Sequence, residues 1–263
     1  MRKGEKMTLF TKAFCVATLF TGFAWANEEL KVGSSITPHA DILRFIKSVL
    51  QKQGYDLKIY EFNDGVIPNV MVENGELDAN YFQHEPYLKE FNQRQGTHLV
   101  KVASIHIEPM AVYSKKHKKF NPEEGQSISI PNNPTNESRA LRIVASKGLI
   151  EVKDNELITP LDITKNPKKL KFVELKDAQL TRSLNNDVDY SLINSNFAIL
   201  AGLNPVKDGL YTESKYSEYG NIIAVKEGNE NLPKIKALVK ALQSDEVKKF
   251  IEEKYQGALI PTF

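Results

Sequence analysis

Beyond residue 26 the chain alternates two patterns: short apolar runs, and stretches in which apolar residues recur every three or four positions. The first pattern marks strands and the second marks helices. Residues 30–33 read as a strand. Thr37 then caps a helix with Pro38 in its first turn, and Ile42, Leu43, Ile46, Val49 and Leu50 supply the apolar face until Gly54 ends it. A strand at 57–62, a helix at 67–74, a strand at 78–82, a helix at 86–94 and a strand at 99–107 follow. This strand–helix alternation predicts a parallel sheet with helices on its faces.

A second unit of the same kind begins after Met110. Residues 127–130 are strand-like, Asn136 caps a helix carrying Ala140, Leu141, Val144 and Ala145, and Gly148 closes it. Residues 171–175 and 190–193 supply further strands, and the apolar run 222–225 leads back toward the first unit. Two helices finish the chain, one on Ile235, Leu238, Val239 and Leu242, the other on Val247, Phe250 and Ile251 after Ser244. The pattern thus predicts an α/β protein of two units, 27–110 plus 227–263 and 111–226, each a mainly parallel sheet flanked by helices, with one large domain or two lobes both open. No fixed-period repeat interrupts it.

Residues 1–26 differ from the rest. Arg2, Lys3, Lys6 and Lys12 against Glu5 give a basic start, residues 13–23 are almost wholly apolar, and Ala24-Trp25-Ala26 is a small-x-small end. A run of eleven residues is too short to span a bilayer, which takes about 20. The segment reads as a secretory signal peptide cleaved after Ala26, which delivers the chain to the periplasm. The lone cysteine, Cys15, follows Phe14 and has Lys12 three positions before it, so it lacks a lipobox setting. Of 263 residues 35 are Lys or Arg and 33 are Asp or Glu; without the segment 31 basic residues face 32 acidic ones. No basic excess remains for nucleic acid. A single cysteine also excludes intrachain disulfides and thiolate metal clusters.

The candidate chemistry gathers where strands end. Ser34 and Ser35 follow the first strand, Gln83 and His84 the third and Glu108 the fourth, while Asn132 to Asn136 and Asn194 follow strands of the second unit. Open α/β sheets bind ligands outside the carboxyl ends of their strands, so this set is read as one site. Arg139, placed in the first helical turn after Asn136, is expected to clamp a carboxylate.

Three stretches are recognisable: 80–88 (Asn80-Tyr81-Phe82-Gln83-His84-Glu85-Pro86-Tyr87-Leu88), 131–141 (Pro131 through Asn136, Arg139 and Leu141) and 217–223 (Ser217-Glu218-Tyr219-Gly220-Asn221-Ile222-Ile223). In this order they resemble the methionine-binding, NlpA-type family of ABC-transporter substrate-binding proteins, over nearly all the chain after residue 26. The resemblance implies a monomeric periplasmic binding protein that closes over methionine, L or D, and presents it to a membrane permease, without cofactor or catalysis. It also implies the site: Arg139 on the ligand carboxylate with His84 nearby, Asn194 and Asn221 on main-chain groups of the ligand, and Phe82 and Tyr87, with Tyr81 beside them, around the side chain. Glu108 is the partner implied for the ammonium. Two departures stand out. Many relatives have an aromatic residue at the position of Gly65, and its loss is expected to enlarge or reshape the pocket; a methionine-containing dipeptide or another apolar amino acid stays open as ligand. Many relatives are also lipoproteins.

Other classes find less support. His106-Ile107-Glu108 matches half of a zinc-deaminase pattern whose cysteine half this chain lacks. His39, His84, His98, His106 and His117 are not closely spaced, so no zinc site is expected, and no G-x-S-x-G nucleophile elbow is present. The basic run Lys115, Lys116, Lys118 and Lys119 reads as a solvated loop.

Overall fold

The computed structural model describes residues 27–214 and 218–263. The signal segment, with Cys15, lies outside the described residues. In chain order the elements are β1 (Glu28–Ser35), α1 (Asp41–Lys52), β2 (Tyr55–Phe62), α2 (Ile67–Glu73), β3 (Ala79–His84), α3 (Glu85–Gln95) and β4 (Leu99–Ile107). Then come β5 (Ala111–Tyr113), β6 (Ser127–Pro131), α4 (Pro134–Ser146), β7 (Glu151–Val152), β8 (Ile163–Lys165), β9 (Lys171–Leu175), α5 (Asp177–Ser183), β10 (Tyr190–Ile193) and α6 (Ser195–Leu200). The chain closes with β11 (Tyr211–Thr212), β12 (Gly220–Lys226), α7 (Pro233–Leu242), α8 (Asp245–Tyr255) and β13 (Ile260–Pro261).

Two sheets form the lobes. The first has the order β13-β4-β12-β3-β1-β2 and the second β11-β5-β10-β6-β9. Both are mixed. β1 pairs in parallel with β2 and β3, while β12 inserts antiparallel between β3 and β4. In the second sheet β6 is parallel to β9 and β10, and β5 pairs antiparallel with β10. The simple parallel order expected from the sequence therefore gives way at β4, because a strand more than a hundred residues later takes the place beside β3. The expected lobe boundary at 226/227 shifts for the same reason: β12 hydrogen-bonds wholly within the first sheet, so the chain has returned by Gly220.

Each lobe has its own apolar core. Leu30, Val32, Ile42, Leu43, Ile46, Leu50 and Leu57 pack with Ile235, Leu238 and Ile251 in the first. Ile128, Ile130, Leu141, Val144 and Leu192 form the second, with Met110 at its edge. Each fully buried side chain of this kind contributes about 1.5 to 3 kcal/mol. Val49, expected on the apolar face of α1, is instead exposed. Thr37 is extended (φ −136°, ψ 144°) and α1 itself starts at Asp41, so the Thr37 hydroxyl donates to the Asp41 carboxylate (2.8 Å) rather than capping the helix backbone.

The start of α4 also differs from expectation. Asn133, not Asn136, is the cap: its Oδ1 accepts from the Asn136 N–H at 3.0 Å, and Pro134 takes the first helical position that a proline tolerates. Arg139 therefore falls in the second turn, and what places it is not the helix end. Among the described residues no helix is long and apolar enough to cross a membrane.

Candidate ligand-binding site

The ends of β3, β6, β10 and β12 meet along the seam between the lobes. His84, the last residue of β3, caps α3 with its Nδ1, which accepts from the Tyr87 N–H at 3.1 Å. Nδ1 being an acceptor, the proton of the neutral ring sits on Nε2, which donates across the seam to Asn136 Oδ1 at 3.1 Å. Burial, and then the nearby Arg139 guanidinium, lower the His84 pKa to about 3, so this neutral form persists at ordinary pH. Asn136 Oδ1 also faces Asn194 Nδ2 at 3.4 Å. Asn194 holds the cap position of α6, yet its side chain does not cap; its Oδ1 is buried and has no hydrogen-bond partner.

Arg139 is buried in the same seam, only 2% exposed. Its Nε lies 3.1 Å from both carboxylate oxygens of Glu213, Nη2 reaches Glu213 as well, and Nη2 also donates to the Glu108 carbonyl at 2.9 Å. The Tyr219 ring lies 4.2 Å from the guanidinium carbon and edge-on to His84 at 5.1 Å. Five donors and a positive charge in a dry site need this much compensation.

Asn221, the second residue of β12, lies opposite His106 across the sheet. Its Oδ1 is 2.9 Å from His39 Nε2. That nitrogen is also 3.5 Å from Glu108 Oε1, and His106 Nε2 approaches the same oxygen at 3.2 Å. The Ser35 hydroxyl meets His39 Nδ1 and the Tyr81 hydroxyl meets His106 Nδ1. The Glu108 side chain, expected to meet the ligand ammonium, is 4% exposed and lies between these two imidazoles. Burial raises its pKa while His39 and Arg139 oppose the rise. His39, His106 and Glu108 also offer three potential metal-ligand atoms within 4.8 Å of one another, a convergence that their spacing in sequence hides. Within the trio His106 Nε2 donates to Glu108 at 3.2 Å, while His39 Nε2 stands 3.5 Å from the same oxygen.

Phe82 and Tyr87 sit together, with ring centroids 6.2 Å apart in an edge-on arrangement. Gly65 lies against them: a Cβ there comes within 2.6 Å of the Tyr87 hydroxyl and 3.3 Å of the Phe82 ring. The volume that an aromatic residue at 65 would take is therefore occupied by Tyr87. Tyr81 is fully buried, edge-on to His39 and His106, and belongs to the core beneath the seam rather than beside Phe82 and Tyr87. Gln83 also turns away, into a buried amide cluster with Asn69 and Asn80.

Of the residues expected from sequence, His84, Arg139, Asn194 and Asn221 thus lie on connected contacts at the seam, with Tyr87 edge-on to His84 and Phe82 against Tyr87. Glu213, Tyr219, His39 and His106 are not expected from the sequence in these roles, whereas Asn136 belongs to the expected strand-end set. Nothing in the sequence marks Glu213, which lies 74 positions from Arg139; Tyr219 at least stands in one of the recognisable stretches.

Comparison with known proteins gives a consistent picture. The family described as NlpA lipoprotein matches residues 30–263. A D-methionine-binding lipoprotein, MetQ, of Escherichia coli (strain K12) is 38% identical over 236 residues, covering 88% of this chain and 87% of its own. A nutrient binding protein from Burkholderia cenocepacia, solved bound to methionine, superposes with a TM-score of 0.86 at 41% identity, covering 89% of this chain and all of that one. An ABC-transporter periplasmic substrate-binding protein from Coxiella burnetii superposes with a TM-score of 0.85 at 40% identity, over 89% of this chain and all of that one.

Proposed function

The chain belongs to the NlpA lipoprotein family, and from that premise we propose that it is the substrate-binding component of an ABC importer, taking up methionine and delivering it to a membrane permease. The work is binding without chemistry. A zwitterion enters a dry cleft only if both its charges are met there, since an unpaired buried charge costs several kcal/mol.

The observation that carries this reading is the pairing of opposite polarities at the seam. Arg139 supplies positive charge; its Nε and Nη2 meet Glu213 and the Glu108 carbonyl, and its remaining Nη1 is assigned to a ligand carboxylate. Asn194 Oδ1 is a buried acceptor in want of a donor, the complement of an ammonium group. Asn221 and His84 complete the polar end, and Phe82 and Tyr87 surround the thioether, where sulfur–ring contacts are worth about 0.3 to 1.5 kcal/mol each. Because Tyr87 fills the space beside Gly65, the pocket favours free methionine over a methionine-containing dipeptide.

The protein acts as an exported monomer released from its signal segment after Ala26, in contrast to the lipoproteins of its family. Intact-mass analysis of protein recovered from the producing cells tests this: a chain of 237 residues starting at Asn27 is expected, and an acyl adduct contradicts it. For the ligand, unfolded and refolded protein is titrated calorimetrically with L-methionine, D-methionine, glycyl-methionine and leucine. Tightest binding of a methionine enantiomer is expected; leucine or the dipeptide binding more tightly than both overturns the assignment.

A further inference from the structure

The site as described leaves one group of buried ionisable side chains without a task. His39 is fully buried in the turn between β1 and α1 and touches Asn221. Two oxygens, Asn221 Oδ1 at 2.9 Å and Glu108 Oε1 at 3.5 Å, face its Nε2. A bare ring nitrogen aimed at two acceptors is repelled by both, so Nε2 carries the proton and Nδ1 accepts from the Ser35 hydroxyl. The ring is held in place by Tyr81, edge-on at 4.6 Å, and by His106 at 5.0 Å, which is itself fixed between the Tyr81 hydroxyl and Glu108.

We propose that His39 is a positioning residue: by donating from Nε2 to Asn221 Oδ1 it fixes the Asn221 amide with its Nδ2 donor turned to the cleft, so that Asn221 recognises an acceptor, the ligand carboxylate, and refuses an ammonium. This rests on the assignment of Asn221 as a ligand contact made above. An asparagine amide can otherwise rotate by a half-turn and offer either polarity. Here a half-turn sets the Asn221 N–H against the His39 N–H, two donors with no acceptor between them, and both lose a buried hydrogen bond. Burial keeps the ring neutral, lowering its pKa to about 4, so the single proton and with it the amide orientation persist through the physiological range. Asn194, with its unmatched Oδ1, carries the opposite polarity. The two asparagines then read the two ends of an amino acid in one sense only.

The test is a double-mutant cycle in L-methionine affinity, with L-methioninamide as the second probe, on the full mature chain. His39→Phe is expected to weaken L-methionine binding by about ten- to a hundredfold, the range of one hydrogen bond to a charged group. In an Asn221→Ala background the same change is expected to have less than a threefold effect. His39→Gln, whose amide nitrogen reaches about as far as Nε2, should recover most of the loss. The preference for methionine over methioninamide should shrink in His39→Phe, which mere destabilisation does not bring about. Equal effects of His39→Phe in both backgrounds, or an affinity within twofold of wild type, overturn the proposal. Should His39→Phe fail to fold, nitrogen-15 NMR of the wild-type imidazoles decides: protonation of His39 at Nε2 is required, and the Nδ1 form, or stoichiometric zinc on Nε2, is incompatible with it. Wild-type protein that binds neither probe overturns the ligand assignment beneath; wild-type binding with an additive cycle overturns this inference alone.

Discussion

The guanidinium of Arg139 rests on the carboxylate of Glu213, with Nε 3.1 Å from each of its oxygens, so the cation offered to a ligand is already held by an internal anion. Glu213 also accepts from the Met110 N–H at 3.3 Å, which ties the pair to the first segment linking the lobes. A buried ion pair of this kind is worth little over a well-packed apolar pair, but removing one partner strands the other.

Two substitutions separate aim from charge. Arg139→Ala should abolish methionine binding and lower stability by about 3 kcal/mol, because Glu213 is left without its partner. Glu213→Gln keeps the cation but loosens it, so affinity should fall by about tenfold while the protein still binds. Calorimetry and urea denaturation of both variants measure this; undiminished affinity in Arg139→Ala removes Arg139 from the site.

Gly65 and Tyr87 should behave as a coupled pair. A methyl group at 65 meets the Tyr87 hydroxyl at 2.6 Å and its ring carbon at 3.1 Å, closer than neighbours tolerate. Gly65→Ala is expected to cost about 1 to 3 kcal/mol in stability or an equivalent loss of affinity. Gly65→Ala combined with Tyr87→Phe should recover part of it by removing the hydroxyl. Strictly additive effects in thermal unfolding with and without methionine would show that Tyr87 does not fill that space.

Asn136 joins the lobes by accepting from His84 at 3.1 Å, and within its own lobe it accepts from Asn194 at 3.4 Å. Asn136→Ala leaves the His84 Nε2 donor unmatched across the seam, so the hold between the lobes should weaken. Methionine dissociation, followed by stopped-flow displacement, is expected to quicken by about tenfold; an unchanged rate would mean that these contacts do not hold the closed form.

Acid should destabilise the fold through its buried imidazoles. Burial lowers the pKa values of His39, His84 and His106 from 6.5 to about 4, 3 and 3. Below pH 6.5 the unfolded chain takes up protons that the folded chain does not, so stability falls as the pH drops from 6.5 toward 4, by up to about 1.4 kcal/mol per pH unit for each ring. Glu137 acts in the opposite sense: burial and the neighbouring Glu174 raise its carboxyl from 4.5 to about 8, which favours the fold at the acid end of that range. Urea denaturation at pH 7, 6 and 5 should show falling stability, and Glu137→Gln should make the fall steeper. Stability unchanged between pH 6.5 and 5 in both proteins contradicts these assignments.

Local signals along the chain determined much of the fold. Apolar periodicity located α1, α7 and α8 and nearly every long strand, because burial of one face repeats at the spacing of the element. Proline and asparagine before α4 marked a helix start, though the cap was placed three residues late, since both Asn133 and Asn136 have the required side chain and only the backbone distinguishes them. Recognisable stretches carried His84, Arg139 and Asn221 into one candidate site, and Asn194 joined them from the end of a strand.

Tertiary structure alone decided what those residues face. No local rule brings β12 between β3 and β4, yet that insertion sets Asn221 against His106 and over His39, 182 positions away. The turn of Glu108 inward between two imidazoles, the seat of Arg139 on Glu213 and the filling of the space at Gly65 by Tyr87 are likewise contacts between distant segments. Sequence fixes which groups a chain owns and the periodicity of its elements; whether a given carboxylate or amide meets a ligand or another side chain depends on how the lobes fold together, because hydrogen bonding and charge pairing act over a few ångströms whatever the separation along the chain.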